Sequence, residues 1–109
     1  MDMFYAIAEP RRREIIEILS INGRMTATEI YKRFDITAQA ISQHLKVLLD
    51  ARLVIMEKES QRHIYRINQE SILEINKWLI RMENNVNESL DRLDILLKNK
   101  NPKPKKDYN

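Results

Sequence analysis

The chain has 109 residues, enough for one domain with a modest core. It has no cysteine, which excludes a disulfide framework, a thiolate metal site and a thiol nucleophile. Its net charge is +3, but five lysines follow residue 97 and residues 1–97 carry 14 basic against 15 acidic groups, so any hold on a polyanion must come from local placement of charge.

No apolar run approaches the roughly 20 residues of a membrane span, and the opening MDMFYAIAEPRRR lacks the basic-then-apolar order of a secretion signal. A soluble, cytoplasmic protein is expected. Residues 3–8, MFYAIA, are a short apolar segment. Glu9-Pro10 then opens a helix, with proline in the first turn where its missing N–H costs nothing, and Asn22-Gly23 closes it with the chain's single glycine as a left-handed cap. Ile15, Ile16, Leu19 and Ile21 are its expected buried side. Arg11, Arg12 and Arg13 are expected on a solvated face, with phosphate contact by one of them as the alternative.

Thr26 and Glu29 have the spacing of a capping box, opening a short helix whose apolar face is Ile30 and Phe34 and which ends by Phe34. Only Asp35 and Ile36 then precede Thr37, which caps the next helix in the stretch DITAQAISQHLKVLLD, Asp35 to Asp50. Ala38, Ile41, Leu45, Leu48 and Leu49 recur there at helical spacing as a buried stripe. At roughly 100° per residue the opposite side carries Gln39, Ala40, Gln43, Lys46 and Val47, with Ser42 and His44 on the flanks. A helix facing only water usually shows Glu, Lys and Arg. This face shows glutamines, whose amide donates and accepts at once and so matches the paired edge of adenine in the major groove. Ser42 and His44 suit phosphate or base contacts, and the small Ala40 permits close approach. Two short helices joined by a tight turn, the second with such a face, predict a helix-turn-helix offered to a nucleic acid. An amide-rich solvent face is the plainer alternative.

After Ala51-Arg52 the period changes. LVIMEKE (Leu53 to Glu59) and RHIYRI (Arg62 to Ile67) flank Ser60-Gln61 and predict a hairpin. With Lys58, Gln61, Arg62, His63 and Arg66 it forms a candidate wing along the backbone or minor groove, against the alternative of a plain hairpin with charged edges. From about Asn68, with Ser71 and Glu74 as a second capping box, a helix is expected to about Leu97. Ile72, Ile75, Leu79, Met82, Val86, Leu90, Leu93 and Leu97 fall at steps of three and four, widened by Trp78 and Leu96. That stripe of about four heptads spans roughly 40 Å and calls for a partner helix. A homodimer through Ile75, Trp78, Leu79, Met82, Val86, Leu90, Leu93 and Leu97, joined by Phe4 from the N-terminal segment, is expected. The fold class is thus mainly α with a small β-hairpin: a winged helix-turn-helix domain with a long C-terminal dimerisation helix over residues 1–97 (the helix at about 69–97), then a disordered basic tail at 98–109.

FYAIAEPRRREI at Phe4 to Ile15, AISQHLKVL at Ala40 to Leu48, ARLV at Ala51 to Val54 and YRI at Tyr65 to Ile67 resemble the ArsR family of winged-helix repressors, over residues 3 to about 80. The resemblance implies a dimeric bacterial or archaeal transcription regulator with its recognition helix in the major groove of double-stranded operator DNA. It assigns DNA contact to Gln39, Ser42, Gln43, His44 and Lys46 on that helix and to Arg62 and His63 on the wing, to which the spacing adds Thr37, Ala40, Lys58 and Gln61. Metal-sensing members use a Cys-x-Cys motif before the turn or Asp and His ligands in the last helix. Here the first of these helices reads ATEIYKRF, the last holds no histidine, and Asp91 and Asp94 are better read as solvated charge. No metal and no cofactor are expected, as in a metal-independent branch similar to sporulation-delay-type autorepressors. A rival is a dimeric interaction module on a winged-helix scaffold that no longer binds DNA. An enzyme is not expected, since there is no glycine-rich phosphate loop and no nucleophile beside a base. The inducing signal stays open between the protein's own concentration, a partner protein and a small apolar ligand.

Overall fold

The computed structural model describes residues 2–100 as α1 (Met3–Ile7), α2 (Pro10–Asn22), β1 (Arg24–Thr26), α3 (Ala27–Tyr31), α4 (Ala38–Asp50), β2 (Val54–Glu59), β3 (Arg62–Ile67) and α5 (Gln69–Lys100). Residues up to Leu73 form one compact unit and those from Glu74 a second. Helix α5 starts in the first and supplies the described part of the second. The chain is mainly α-helical, with a small β wing and a long C-terminal helix.

Both ends of α2 follow from the sequence. Pro10 stands in its first turn, the Glu9 carboxylate accepts from the Arg12 N–H, and Gly23 ends the helix at φ +82°, its N–H returning to the Leu19 carbonyl. Glycine reaches that conformation without a Cβ penalty. Ile15 and Leu19 are buried and Ile16 half-buried, but Ile21, expected inside, is 82% exposed. It lies two residues, or roughly 200° of turn, from Leu19 and so on the other side of the helix.

The core of the first unit gathers Ile15 and Leu19 of α2, Ile30 of α3 and Ile41, Leu45 and Leu48 of α4 around Leu53, Val54, Ile64 and Tyr65. The expected hairpin pairs from Val54 opposite Ile67 to Glu59 opposite Arg62. A third strand was not foreseen. β1 pairs antiparallel with β3, giving the order β1-β3-β2 and setting buried Met25 opposite Tyr65. Three residues carry no readable period, and the last of them, Thr26, is also the cap of α3.

Helix α3 stops at Tyr31, short of the expected Phe34. The N–H groups of Arg33 and Phe34 turn back to the carbonyls of Ile30 and Tyr31, three residues away, so a tight turn replaces the last helical turn. Residues 32–37 therefore link α3 to α4, and Phe34 is half-buried within that link.

At the start of α5 the cap is Asn68 rather than Ser71. Asn68 Oδ1 accepts from the Glu70 N–H, while Ser71 is buried inside the first turn and its hydroxyl donates to the Arg52 carbonyl, which Asn68 Nδ2 also approaches at 2.9 Å. Arg52 sits at φ +61° just after α4, a conformation disfavoured for a side chain with a Cβ, and these two donors hold its carbonyl there. Helix α5 runs on past Leu97 to Lys100. The rest of the expected basic tail, residues 101–109, lies outside the described residues.

Ser60, first of the two turn residues of the hairpin, has φ +59°. Glycine is the usual occupant of such a position. Ser60→Gly is expected to raise unfolding stability by up to about 1 kcal/mol and Ser60→Val to lower it by about the same or more. Leu45→Ala, in the core, is expected to cost about 2–5 kcal/mol. Urea unfolding followed by far-ultraviolet circular dichroism measures all three, and a Ser60→Gly protein less stable than the parent would refute the turn assignment.

Candidate nucleic-acid interface

Helix α4 is fixed from both ends of its logic. Thr37 caps it by accepting from the Ala40 N–H, and burial of Ile41, Leu45 and Leu48 sets its rotation about its own axis. Of the rest of the expected stripe, Leu49 is half-buried and Ala38 is exposed, because Ala38 lies in the first turn, where the helix emerges from the core. Val47, expected outside, is half-buried beside Leu48.

The rotation leaves Gln39, Ser42, Gln43 and Lys46 exposed, with Thr37 exposed and Ala40 half-buried at the same end. Among the described residues the side chains of Gln39, Ser42, Gln43 and Lys46 form no internal hydrogen bond or ion pair. Their donors and acceptors stay available to an outside partner. Such a face suits a groove edge, because amide and hydroxyl groups can meet base or phosphate atoms without first breaking a bond of their own.

His44 is placed differently. Its side chain is only 20% exposed, and Nδ1 lies 3.4 Å from Nη1 of Arg12 on α2 and 3.9 Å from a carboxylate oxygen of Glu9, the N-cap of α2. Arg12, expected on a solvated face, is 8% exposed. Its Nε donates to the Ala6 carbonyl, its Nη2 to the Tyr5 carbonyl at 3.3 Å, and its guanidinium stands 5.5 Å above the Tyr5 ring. Arg13 Nη1 reaches the carbonyls of Ile7 and Ala8 at 2.7 and 2.9 Å. Two of the three arginines thus donate to carbonyls at the end of α1, where a cation also meets the negative end of the helix. The run RRR gave no sign of this, since the acceptors lie on another helix.

The wing cations divide into paired and unpaired. Arg24 Nη2 pairs with Glu59 at 2.7 Å and Arg66 Nε with Glu57 at 2.8 Å, so Arg66, expected among the wing cations, is engaged within the sheet. The Arg66 hydrogen bond, and then its charge and that of Arg24, hold the Glu57 carboxyl below the usual carboxylate range. Lys58, opposite His63, and Arg62, opposite Glu59, form no such pair among the described residues. Gln61, Arg62 and His63 share a groove of about 420 Å³ with Thr26, Ala27, Thr28 and Glu29 at the start of α3. Lys58 does not line it. Thr28 and Glu29 were not foreseen there, because only the sheet brings the wing tip beside them.

Comparison with known proteins agrees with this geometry. A model of a helix-turn-helix domain matches residues 7–57. The chain is 31% identical over 83 residues to the transcriptional repressor SdpR of Bacillus subtilis, covering 76% of this chain and 91% of that one. It is 33% identical over 73 residues to the arsenical resistance operon repressor of Staphylococcus xylosus, covering 67% and 69%. This chain belongs to the ArsR family of winged helix-turn-helix regulators. Among solved structures, an ArsR family transcriptional regulator superposes with a TM-score of 0.70 at 26% identity, covering 77% of this chain and 86% of that one. A possible transcriptional regulator for arsenical resistance gives 0.69 at 29%, covering 75% and 84%. The chain is accordingly a DNA-binding transcriptional regulator, and the relatives it matches are regulators, not enzymes. No helix of the described residues is long and apolar enough to cross a membrane.

The capping box that frames the groove is complete. Thr26 Oγ1 accepts from the Glu29 N–H, and a Glu29 carboxylate oxygen accepts from the Thr26 N–H. The Thr26 backbone and side-chain hydrogen bonds hold the Glu29 carboxyl below its ordinary value, helped by Arg62 and Arg33. A lowered folded value means that Glu29 stabilises the fold above the ordinary carboxylate range and loses that contribution as the pH falls through its folded value. Thr26→Ala is expected to cost about 1 kcal/mol at neutral pH and to flatten the fall of stability in acid. Thermal melts from neutral to acid pH test both, and an unchanged acid profile would show that the Thr26 hydroxyl carries no part of the proton linkage, leaving it to the Thr26 backbone N–H.

Proposed function

We propose that this regulator is a homodimeric, sequence-specific repressor that reads an inverted repeat without a metal signal, acts in the cytoplasm and silences a promoter by covering it. The observation that carries this reading is the outer face of α4, where Gln39, Ser42, Gln43 and Lys46 stand exposed and unbonded on a helix locked by its buried side. Gln39 and Gln43 read base edges. Thr37, Ala40, Ser42, His44 and Lys46 approach the backbone and neighbouring bases, and Lys58, Gln61, Arg62 and His63 carry the wing along the adjacent groove. The matched relatives named as repressors support the sign of regulation. Absence of cysteine and the engagement of His44 with Arg12 support a metal-independent mode, because soft and imidazole ligands are then scarce.

Dimerisation is proposed through α5. Leu79, Val86, Leu90, Leu93 and Leu97 each leave more than half of their surface exposed, with Ile75 and Met82 half-buried on the same stripe. Covering the exposed half of each leucine or valine is worth about 1 kcal/mol, so a second α5 gains several kcal/mol per protomer. Trp78 and, from α1, Phe4 join that interface. Two recognition helices related by a two-fold axis then meet half-sites about 10 to 10.5 bp apart, centre to centre, or a multiple of that spacing.

Gln43→Ala is expected to cost roughly 1–3 kcal/mol on the specific duplex and far less on a scrambled one. Lys46→Ala is expected to weaken both alike and to reduce the log–log salt slope by about 1. Fluorescence anisotropy across a salt series measures both, and weak, salt-insensitive binding by the wild type would favour an interaction platform instead. Val86→Asp is expected to shift sedimentation towards the monomer and to lower operator affinity with it. A variant that stays dimeric would remove α5 from the interface.

A further inference from the structure

His44 lies on the recognition helix, yet one ring nitrogen is turned to the protein. A guanidinium has five donors and no acceptor, so at the 3.4 Å contact Arg12 Nη1 donates and His44 Nδ1 accepts. The Glu9 carboxylate, at 3.9 Å from the same nitrogen, is beyond hydrogen-bond range. An accepting Nδ1 leaves the neutral ring with its proton on Nε2, since the bond made by one imidazole nitrogen decides the state of the other. Nε2 has no partner within the described residues, and no buried side-chain nitrogen or oxygen there lacks one, so Nε2 is open to solvent. The donor behind it is rigid. The Arg12 guanidinium is buried, bonded to the Ala6 and Tyr5 carbonyls and stacked over the Tyr5 ring.

We propose that Arg12 is a positioning residue for DNA recognition. By donating to Nδ1 it fixes the His44 ring and its tautomer, so that Nε2–H is presented at the flank of the recognition helix as a donor to an acceptor atom of the duplex. The bond also ties the order of α1 to that donor, because the same guanidinium caps α1. This inference rests on the reading of α4 as the DNA-contacting helix.

The test uses the full chain and the duplex that the wild type selects from a random pool. In His44→Asn the amide stands near Nδ1 and keeps the acceptor for Arg12 but loses the outer donor. In His44→Gln the amide stands near Nε2 and keeps the outer donor. His44→Asn is expected to lose roughly tenfold in affinity, the worth of one hydrogen bond to a charged or polar acceptor, at an unchanged melting temperature. His44→Gln is expected to bind more tightly than His44→Asn. Arg12→Lys, which keeps a cation for the α1 carbonyls, is expected to weaken binding in the wild-type background and to add nothing in His44→Asn, a coupling that a merely structural role would not show. Loss on selected and scrambled duplexes alike assigns the acceptor to phosphate, and loss on the selected duplex alone to a base edge. Nitrogen-15 spectra of the neutral ring are expected to show the proton on Nε2. The proposal is overturned by a proton on Nδ1, by His44→Asn binding as tightly as the wild type, or by losses from Arg12→Lys and His44→Asn that simply add. If Arg12→Lys does not fold, the two His44 variants and the spectra still decide. A wild type that selects no sequence overturns both this inference and the reading beneath it.

Discussion

Burial of Ile41, Leu45 and Leu48 along one side of α4 is the constraint on which the rest of the first unit depends. All three are sealed at 1% exposure or less, and together they are worth several kcal/mol of apolar transfer. No other rotation of α4 would bury them, so the orientation of Gln39, Ser42, Gln43 and Lys46 follows from a packing requirement that has nothing to do with DNA. Ile30 of α3 and Leu53 and Val54 at the start of the hairpin complete the same core. The turn before α4 and the wing after it are therefore fixed to one rigid body, which is what a contact surface made of two separate elements needs.

Polar contacts then refine what packing has placed. The apolar core tolerates the buried Arg12 because its guanidinium finds two carbonyls and an imidazole nitrogen, and the buried Ser71 because its hydroxyl finds the Arg52 carbonyl. Both bonds close a joint between elements. Arg12 joins α1 to α4 through α2, and Ser71 joins the first turn of α5 to the end of α4, where Arg52 holds a left-handed conformation without being glycine. A buried polar group left unpaired costs more than a surface one gains, so these joints are specific: only one arrangement satisfies them.

How far the sequence revealed this depended on whether a feature was local. Pro10, Gly23, the Thr26–Glu29 box and Thr37 act within one turn of helix, and each stands where its spacing placed it. The winged helix-turn-helix order was equally plain, because helical and strand periods differ over the segments involved. Four of the failures share one cause. Arg12, Arg66, Ser71 and the strand β1 take their structure from partners distant in sequence, namely the α1 carbonyls, Glu57, Arg52 and β3. Periodicity along a helix cannot announce an acceptor on another element. His44 falls between the two cases, since its place on the flank of α4 was evident but not the arginine beneath it.

The same distinction resolves an apparent conflict in charge. Residues 1–97 hold about as many acids as bases, which alone argues against a polyanion partner. A phosphate, however, responds to the charges left uncompensated near it, within a Debye length of about 8–10 Å. Glu57 and Glu59 are occupied by Arg66 and Arg24, and Glu29 is turned to its own helix cap. On α4 and the wing, Lys46, Lys58 and Arg62 have no such internal pair among the described residues. Internal pairing thus consumes acid and base together where they support the sheet, and leaves Lys46 on α4 and Lys58 and Arg62 on the wing outside any ion pair among the described residues. Local placement, and not the sum over the chain, supplies the attraction that a duplex would feel.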